Sequence, residues 1–247
     1  MSTDAVGGTL DNDGWKNMWD KGETDFHQST FDRFLDLRKA ELLGENRSVF
    51  LPLCGKTLDI IWFYNHGFKV SGVEIAELAV QQFFSENNIE CKVESLQTVP
   101  GKLYKSIDNK IQLYVADMFE MTPELCGQFD IIWDSKAFVA INRSDRQKYI
   151  NTLVSLMKKE GRYYLASIDY DPAVWPGPPH SCPDKVIVSN YSGRFNIEIL
   201  KDADEVMKQK PETREETPVQ KHEYDTIQSA FQASSYLLFR WYKMTLK

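Results

Sequence analysis

Four short stretches of this 247-residue sequence combine glycine, acidic and soft apolar side chains in spacings suited to holding a small organic cofactor. The first is Leu53-Cys54-Gly55-Lys56, which closes the apolar run 48–53. Gly55 admits backbone angles closed to other residues and lets a ligand approach the main chain. Glu74 ends a second apolar run, 19 residues after Gly55, and an acid about 20 residues beyond a turn glycine is the acceptor that a pair of ribose hydroxyls needs. Asp117-Met118 and Asp134-Ser135 end two further runs. An aspartate with a soft neighbour could accept from an adenine amine while the thioether covers the ring. Taken singly, Gly55 reads as an ordinary turn glycine and Met118 as ordinary core; taken together, these strand ends specify a nucleoside pocket. The turn has one glycine where a pyrophosphate cradle needs G-x-G-x-x-G. A sulfonium nucleoside, which carries no phosphate, makes no such demand.

These side chains need a scaffold that brings strand ends together, and the periodicity supplies one. Seven runs read as strands, at 48–53, 68–74, 111–116, 129–134, 162–168, 195–200 and 234–244, with a small hairpin expected within 92–110. Helical spacing marks 28–43, 58–64, 76–88, a short piece near 184–192, and 144–160, where Ser144 and Gln147 stand at capping-box spacing and Gly161 follows. Strands alternating with helices predict a doubly wound, mostly parallel seven-stranded α/β sheet with helices on both faces. The stretch 169–183 holds five prolines and one glycine and must be a shaped loop. The charged stretch 201–226 reads as a solvated loop or partial helix, with a substrate lid as the other reading. Residues 1–14 are small and polar and are expected to be disordered, whereas Trp15 and Trp19 recur four apart and can share one helical face.

Composition narrows the function classes. A net charge of −7 and pI near 5.2 oppose broad binding to nucleic acid or to anionic membranes. No run approaches the roughly 18 apolar residues of a membrane span, and the N-terminus lacks a signal-peptide pattern. The four cysteines and four histidines are scattered without metal-ligand spacing, so no metal site is expected, and free thiols suit a reducing cytoplasm.

The stretches PLCGK (52–56), GVEIAELAVQQFF (72–84), FDIIWD (129–134), FVAINRSDRQKY (138–149) and YDPAVWPGPP (170–179) closely resemble thiopurine S-methyltransferases, in order and near-constant spacing from Trp15 to Pro179. The resemblance implies a Rossmann-like methyltransferase fold with S-adenosylmethionine as cofactor, 15–247 forming one domain and 15–44 folding over cofactor and substrate. It further implies that Trp15 and Trp19 line the cofactor pocket, Leu53 and Gly55 face its methionine part, Glu74 holds the ribose, and Asp117 and Met118 meet the adenine. Phe26 would touch the substrate. Where the family carries Arg then Gly after the Trp-Asp of the fourth strand, this chain has Ser135 then Lys136, so Ser135 falls in the cofactor pocket without the planar guanidinium fork.

The expected reaction is in-line methyl transfer to the sulfur of a small aromatic or heterocyclic thiol by a monomer. No Ser-His-Asp or paired-carboxylate signature is present, and an aromatic thiol, already largely thiolate near neutral pH, requires none. Trp175 in the proline-rich loop is the aromatic residue expected beside Phe26 in the substrate slot. A halide or thiocyanate methyltransferase and a non-catalytic binder of the same cofactor are the alternatives.

Overall fold

Runs of β-branched and aromatic residues become nine strands of one sheet: β1 (Ser48–Leu51), β2 (Lys69–Glu74), β3 (Cys91–Ser95), β4 (Lys102–Ser106), β5 (Ile111–Val115), β6 (Phe129–Ser135), β7 (Met157–Tyr170), β8 (Phe195–Leu200) and β9 (Leu237–Leu246). The computed structural model describes residues 8–24, 26–44, 48–200 and 236–247; the charged stretch 201–226 and residues 1–7 lie outside them. The strand order is β3-β4-β5-β2-β1-β6-β7-β9-β8. A parallel centre runs β5-β2-β1-β6-β7, and every other pairing is antiparallel. The expected doubly wound sheet is present, with two corrections. It holds nine strands rather than seven, because the hairpin β3-β4 joins the same sheet and covers the edge of β5, Leu103 pairing with Tyr114 and Tyr104 with Leu113. Its outer pairings, β3-β4 and β4-β5 at one edge and β7-β9 and β9-β8 at the other, are antiparallel, so parallel pairing is confined to the middle.

The helices are α1 (Asn12–Lys21), α2 (Phe34–Leu37), α3 (Lys39–Leu42), α4 (Asp59–Asn65), α5 (Glu77–Glu86), α6 (Pro123–Cys126), α7 (Ala137–Ala140), α8 (Arg146–Leu156) and α9 (Asp184–Tyr191). Three depart from the periodicity. Residues 8–14 are ordered into the fold rather than trailing, since Asp11 caps α1 by accepting from the Gly14 N–H at 2.8 Å. The single helix expected over 28–43 starts late and divides: Asp32 caps the Phe34 N–H at 2.9 Å, and the backbone of Arg38 (φ −99°, ψ 9°) breaks the run. The helix expected over 144–160 stops at Leu156, because Met157 pairs with Phe129 and the chain from there on belongs to β7. Gln147 bonds Asn190 at 3.1 Å instead of closing a capping box.

Alternate residues of the central strands feed two apolar layers. Phe50, Ile132 and Tyr163 pack with Phe138, Tyr149 and Leu153 on one face; Val49, Ile131, Trp133 and Tyr164 pack with Phe34, Phe63 and Trp241 on the other. Trp133 anchors the second layer, its ring 4.7 Å from Trp241 and 5.5 Å from Phe63. Strand order reverses at β1, which has β2 on one side and β6 on the other. That reversal opens a crevice beyond the carboxyl ends of β1, β2, β5 and β6.

Candidate active site

The turn after β1 is shaped by two left-handed residues, Leu53 (φ 44°) and Gly55 (φ 49°), on either side of Cys54. The Cys54 N–H donates to the Val73 carbonyl at 3.0 Å, which lays the turn along β2. Gly72 makes that approach possible, since a Cβ there would lie 2.8 Å from Cys54 Sγ. Glu74 then ties the two segments together, Oε2 accepting from the Gly55 N–H and Oε1 from the Ala76 N–H, each at 2.9 Å. Burial pushes the Glu74 carboxyl pKa up, while the N–H groups of Ala76, Gly55 and Ile75 hold it down. A carboxylate offers about four acceptor sites, so roughly two remain for hydroxyl donors from a ligand.

At the end of β5, Asp117 accepts from the Phe119 N–H at 2.8 Å and, through its other oxygen, from Asn12 Nδ2 at 2.9 Å. Met118 beside it is buried. The second of those bonds, with a reciprocal pair between Leu10 and the Asn142 side chain (3.2 and 3.0 Å), fastens the N-terminal segment across the crevice. Helix α1 then lays Trp19 on Ala76 and Ala79 and brings its ring over Gly55, where a Cβ would lie 3.1 Å from the indole. Phe26 stands edge-on to Trp15 and Trp19 at 5.7 and 5.8 Å.

The loop after β7 closes the far side. Trp175 donates from Nε1 to the Pro178 carbonyl at 3.1 Å, and Pro178 and Pro179 stand with it on the cavity wall. Beyond β6, Ser135 Oγ approaches Asp32 Oδ2 at 3.5 Å, and Lys136 adopts a left-handed backbone (φ 76°) at the start of α7. Asp59 lies beneath, accepting from the Asp32 N–H at 2.7 Å and from Trp133 Nε1 at 2.8 Å. Burial and the neighbouring Asp32 charge push the Asp59 carboxyl up to about 6, and burial pushes the Lys136 ammonium down against the pull of both acids.

These elements enclose a cavity of about 1030 Å³, at the upper end of small-molecule sites. All ten residues singled out from the sequence stand on its wall: Trp15, Trp19, Leu53, Gly55, Glu74, Asp117, Met118 and Ser135, with Phe26 and Trp175. Sequence reasoning missed Leu10, Asp11, Asn12, Asp59, Asn142 and Phe239, which also line it. Asp11 carried a usable signal, a capping residue ahead of the Trp15/Trp19 face. Asp59 and Phe239 carried none, since only the folded sheet brings them there.

Among the described residues no helix is long and apolar enough to cross a membrane. A family model described as thiopurine S-methyltransferase matches residues 10–229. A probable thiopurine S-methyltransferase of Danio rerio is 39% identical over 193 residues, covering 77% of this chain and 83% of that protein. The thiopurine S-methyltransferase of Panthera tigris is 39% identical over 193 residues, 77% of this chain and 79% of its own. Among solved structures, a Burkholderia thailandensis 1,6-didemethyltoxoflavin-N1-methyltransferase with bound S-adenosylhomocysteine is similar at a TM-score of 0.57 and 11% identity, over 95% of this chain and 87% of that one, a likeness of fold alone. With the matched segment running through both walls of the cavity, the chain belongs to the thiopurine S-methyltransferase family.

Proposed function

We propose that this protein transfers a methyl group from S-adenosylmethionine to the sulfur of a small aromatic or heterocyclic thiol. The observation that carries the reading is the convergence of an acidic nucleoside-binding edge, Glu74 and Asp117, and an aromatic wall, Trp15, Trp19, Phe26 and Trp175, on one cavity. The donor set fits the cofactor: Glu74 keeps acceptor sites for ribose hydroxyls, Asp117 and Met118 offer an acceptor and a soft face for adenine, and Leu53 and Gly55 present turn backbone to the amino-acid part under Trp15 and Trp19. When bound, the cofactor supplies an electrophilic methyl group whose bonding electrons return to the sulfonium sulfur.

The side chains act by placement. The carboxylates of Glu74 and Asp117 favour a cationic ligand on their side of the cavity. Trp19, buried over Gly55, shields this side from water, which strengthens each electrostatic contact inside. Phe26, Trp175 and Phe239 stand on the wall of the same cavity, and such rings suit a planar acceptor, whose sulfur would have to reach about 3–3.5 Å from the methyl carbon for in-line transfer. No general base is needed for an acceptor that enters as thiolate. We infer that it acts as a monomer, and four free cysteines suit a reducing, cytoplasmic setting.

Labelled-methyl transfer from S-adenosylmethionine to thiophenol, with iodide assayed alongside, tests the reading. Methylated thiophenol is the expected product. Transfer to iodide alone would replace the proposal with halide methylation, and cofactor binding without transfer to any acceptor would reduce the protein to a binder.

A further inference from the structure

Among the described residues four non-glycine residues have positive φ: Leu53, Asn88, Asn109 and Lys136. Asparagine adopts this conformation readily in turns, whereas leucine and lysine do not. The two unusual residues, Leu53 and Lys136, are the two that line the cavity.

Lys136 is also the one lysine or arginine among the described residues on that wall, where Asp11, Asp59, Glu74, Asp117 and Asp145 supply five acids. The nearby carboxylates, Asp32 and Asp59, favour its charge through space but make no hydrogen bond or ion pair with it. Both oxygens of Asp59 accept from neutral donors, the Asp32 N–H and Trp133 Nε1. Both oxygens of Asp32 do likewise, from the Phe34 N–H at 2.9 Å and Ser135 Oγ at 3.5 Å. Among the described residues the Lys136 ammonium makes no hydrogen bond or ion pair. Two acids lie close enough to favour its charge, yet each takes these hydrogen bonds from neutral donors rather than from the ammonium. The remaining ammonium valence is open to a ligand.

An anion entering a cavity with five acids on its wall is disfavoured without a counter-charge. We infer that Lys136 selects the methyl acceptor by its negative charge, its ammonium pairing with a thiolate held against the aromatic slot. This rests on the sulfur-methylation reading and goes beyond it, by assigning acceptor choice to one residue of the cavity wall. A lysine on the wall serves an anionic sulfur at variable positions, because its single charge sits on a flexible stem, unlike a guanidinium fork.

The test uses the full chain with two probes of nearly the same shape, 4-nitrothiophenol as its thiolate and its neutral S-methyl ether, and S-adenosylhomocysteine as control, each titrated calorimetrically. Lys136→Met and Lys136→Gly are expected to bind the thiolate about tenfold or more weaker than wild type, with Lys136→Arg closer to it. Affinity for the neutral ether and for S-adenosylhomocysteine is expected to stay unchanged. Glycine suits the backbone at this position, so that variant separates loss of charge from failure to fold. Wild-type thiolate affinity in both variants, or equal loss of thiolate and ether, would overturn the assignment alone. Failure of the wild type to bind any thiolate while retaining S-adenosylhomocysteine would overturn it together with the sulfur-methylation reading.

Discussion

The Gly55 N–H donates to Glu74 Oε2 at 2.9 Å, so the turn after the first strand and the acid ending the second form one unit. Replacing Glu74 with Ala removes that tie and the acceptors left for a ribose. S-adenosylhomocysteine binding should weaken by about 1–3 kcal/mol, with Glu74→Gln intermediate. Calorimetric titration giving wild-type affinity for the alanine variant would sink the assignment of Glu74 to the nucleoside.

Gly55→Ala tests the same turn from the other side. The backbone there is left-handed at φ 49°, and a Cβ would come within 3.1 Å of the Trp19 indole. The substitution should lower stability by about 1–3 kcal/mol and alter indole fluorescence, because Trp19 must give way. An unchanged urea midpoint would show that the turn relaxes freely.

Trp175→Ala should act on the acceptor rather than the cofactor. Trp175 stands on the cavity wall, held by the bond from its Nε1 to the Pro178 carbonyl. Steady-state kinetics should show KM for thiophenol rising about tenfold, an effect of order 1–2 kcal/mol for an aromatic contact. Affinity for S-adenosylhomocysteine should not move, and a parallel loss of both would place Trp175 in general packing.

Asp134 predicts a pH signature in stability. It is buried and accepts from the Tyr149 and Tyr163 hydroxyls at 2.7 and 2.6 Å and from the N–H groups of Ala137 and Phe138 at 2.7 and 3.0 Å. Burial nevertheless pushes its carboxyl up to about 6, against the lowering effect of those bonds. A carboxyl raised on folding binds its proton more tightly in the native state. Its contribution is therefore full below about 4 and declines as pH rises through about 6. Asp134→Asn lacks the titration, so the stability difference in favour of wild type should shrink by about 2–3 kcal/mol between pH 4 and pH 7. Urea titrations at the two pH values measure it, and a constant difference would mean that the four bonds outweigh burial.

What could be read in the sequence was local. The ends of β1, β2, β5 and β6 showed themselves by changes of period, and Leu53, Gly55, Glu74, Asp117 and Ser135 stand at those ends, so their convergence followed from the fold class. Trp15 and Trp19 were legible as one helical face. What escaped depends on contacts distant in the chain. Leu10 and Asn142 are 132 residues apart and meet only once the sheet is built, which is why the polar N-terminus read as a tail. Asp59 carries no sequence signal beyond its place in the first turn of α4, since its bond to Trp133 spans 74 residues. Met157–Glu160 had helical neighbours and a lysine pair, yet the open edge of β6 took them into β7.

The backbone at Lys136 sets resistance to heat against choice of substrate. A side chain held at φ 76° costs about 1 kcal/mol relative to glycine, so Lys136→Gly should raise the melting temperature by about 2–4 °C in scanning calorimetry. Selection of variants for thermal endurance alone would drift toward glycine at this position. The same drift would erode the preference for anionic acceptors, because the lysine is retained at the expense of the fold that carries it.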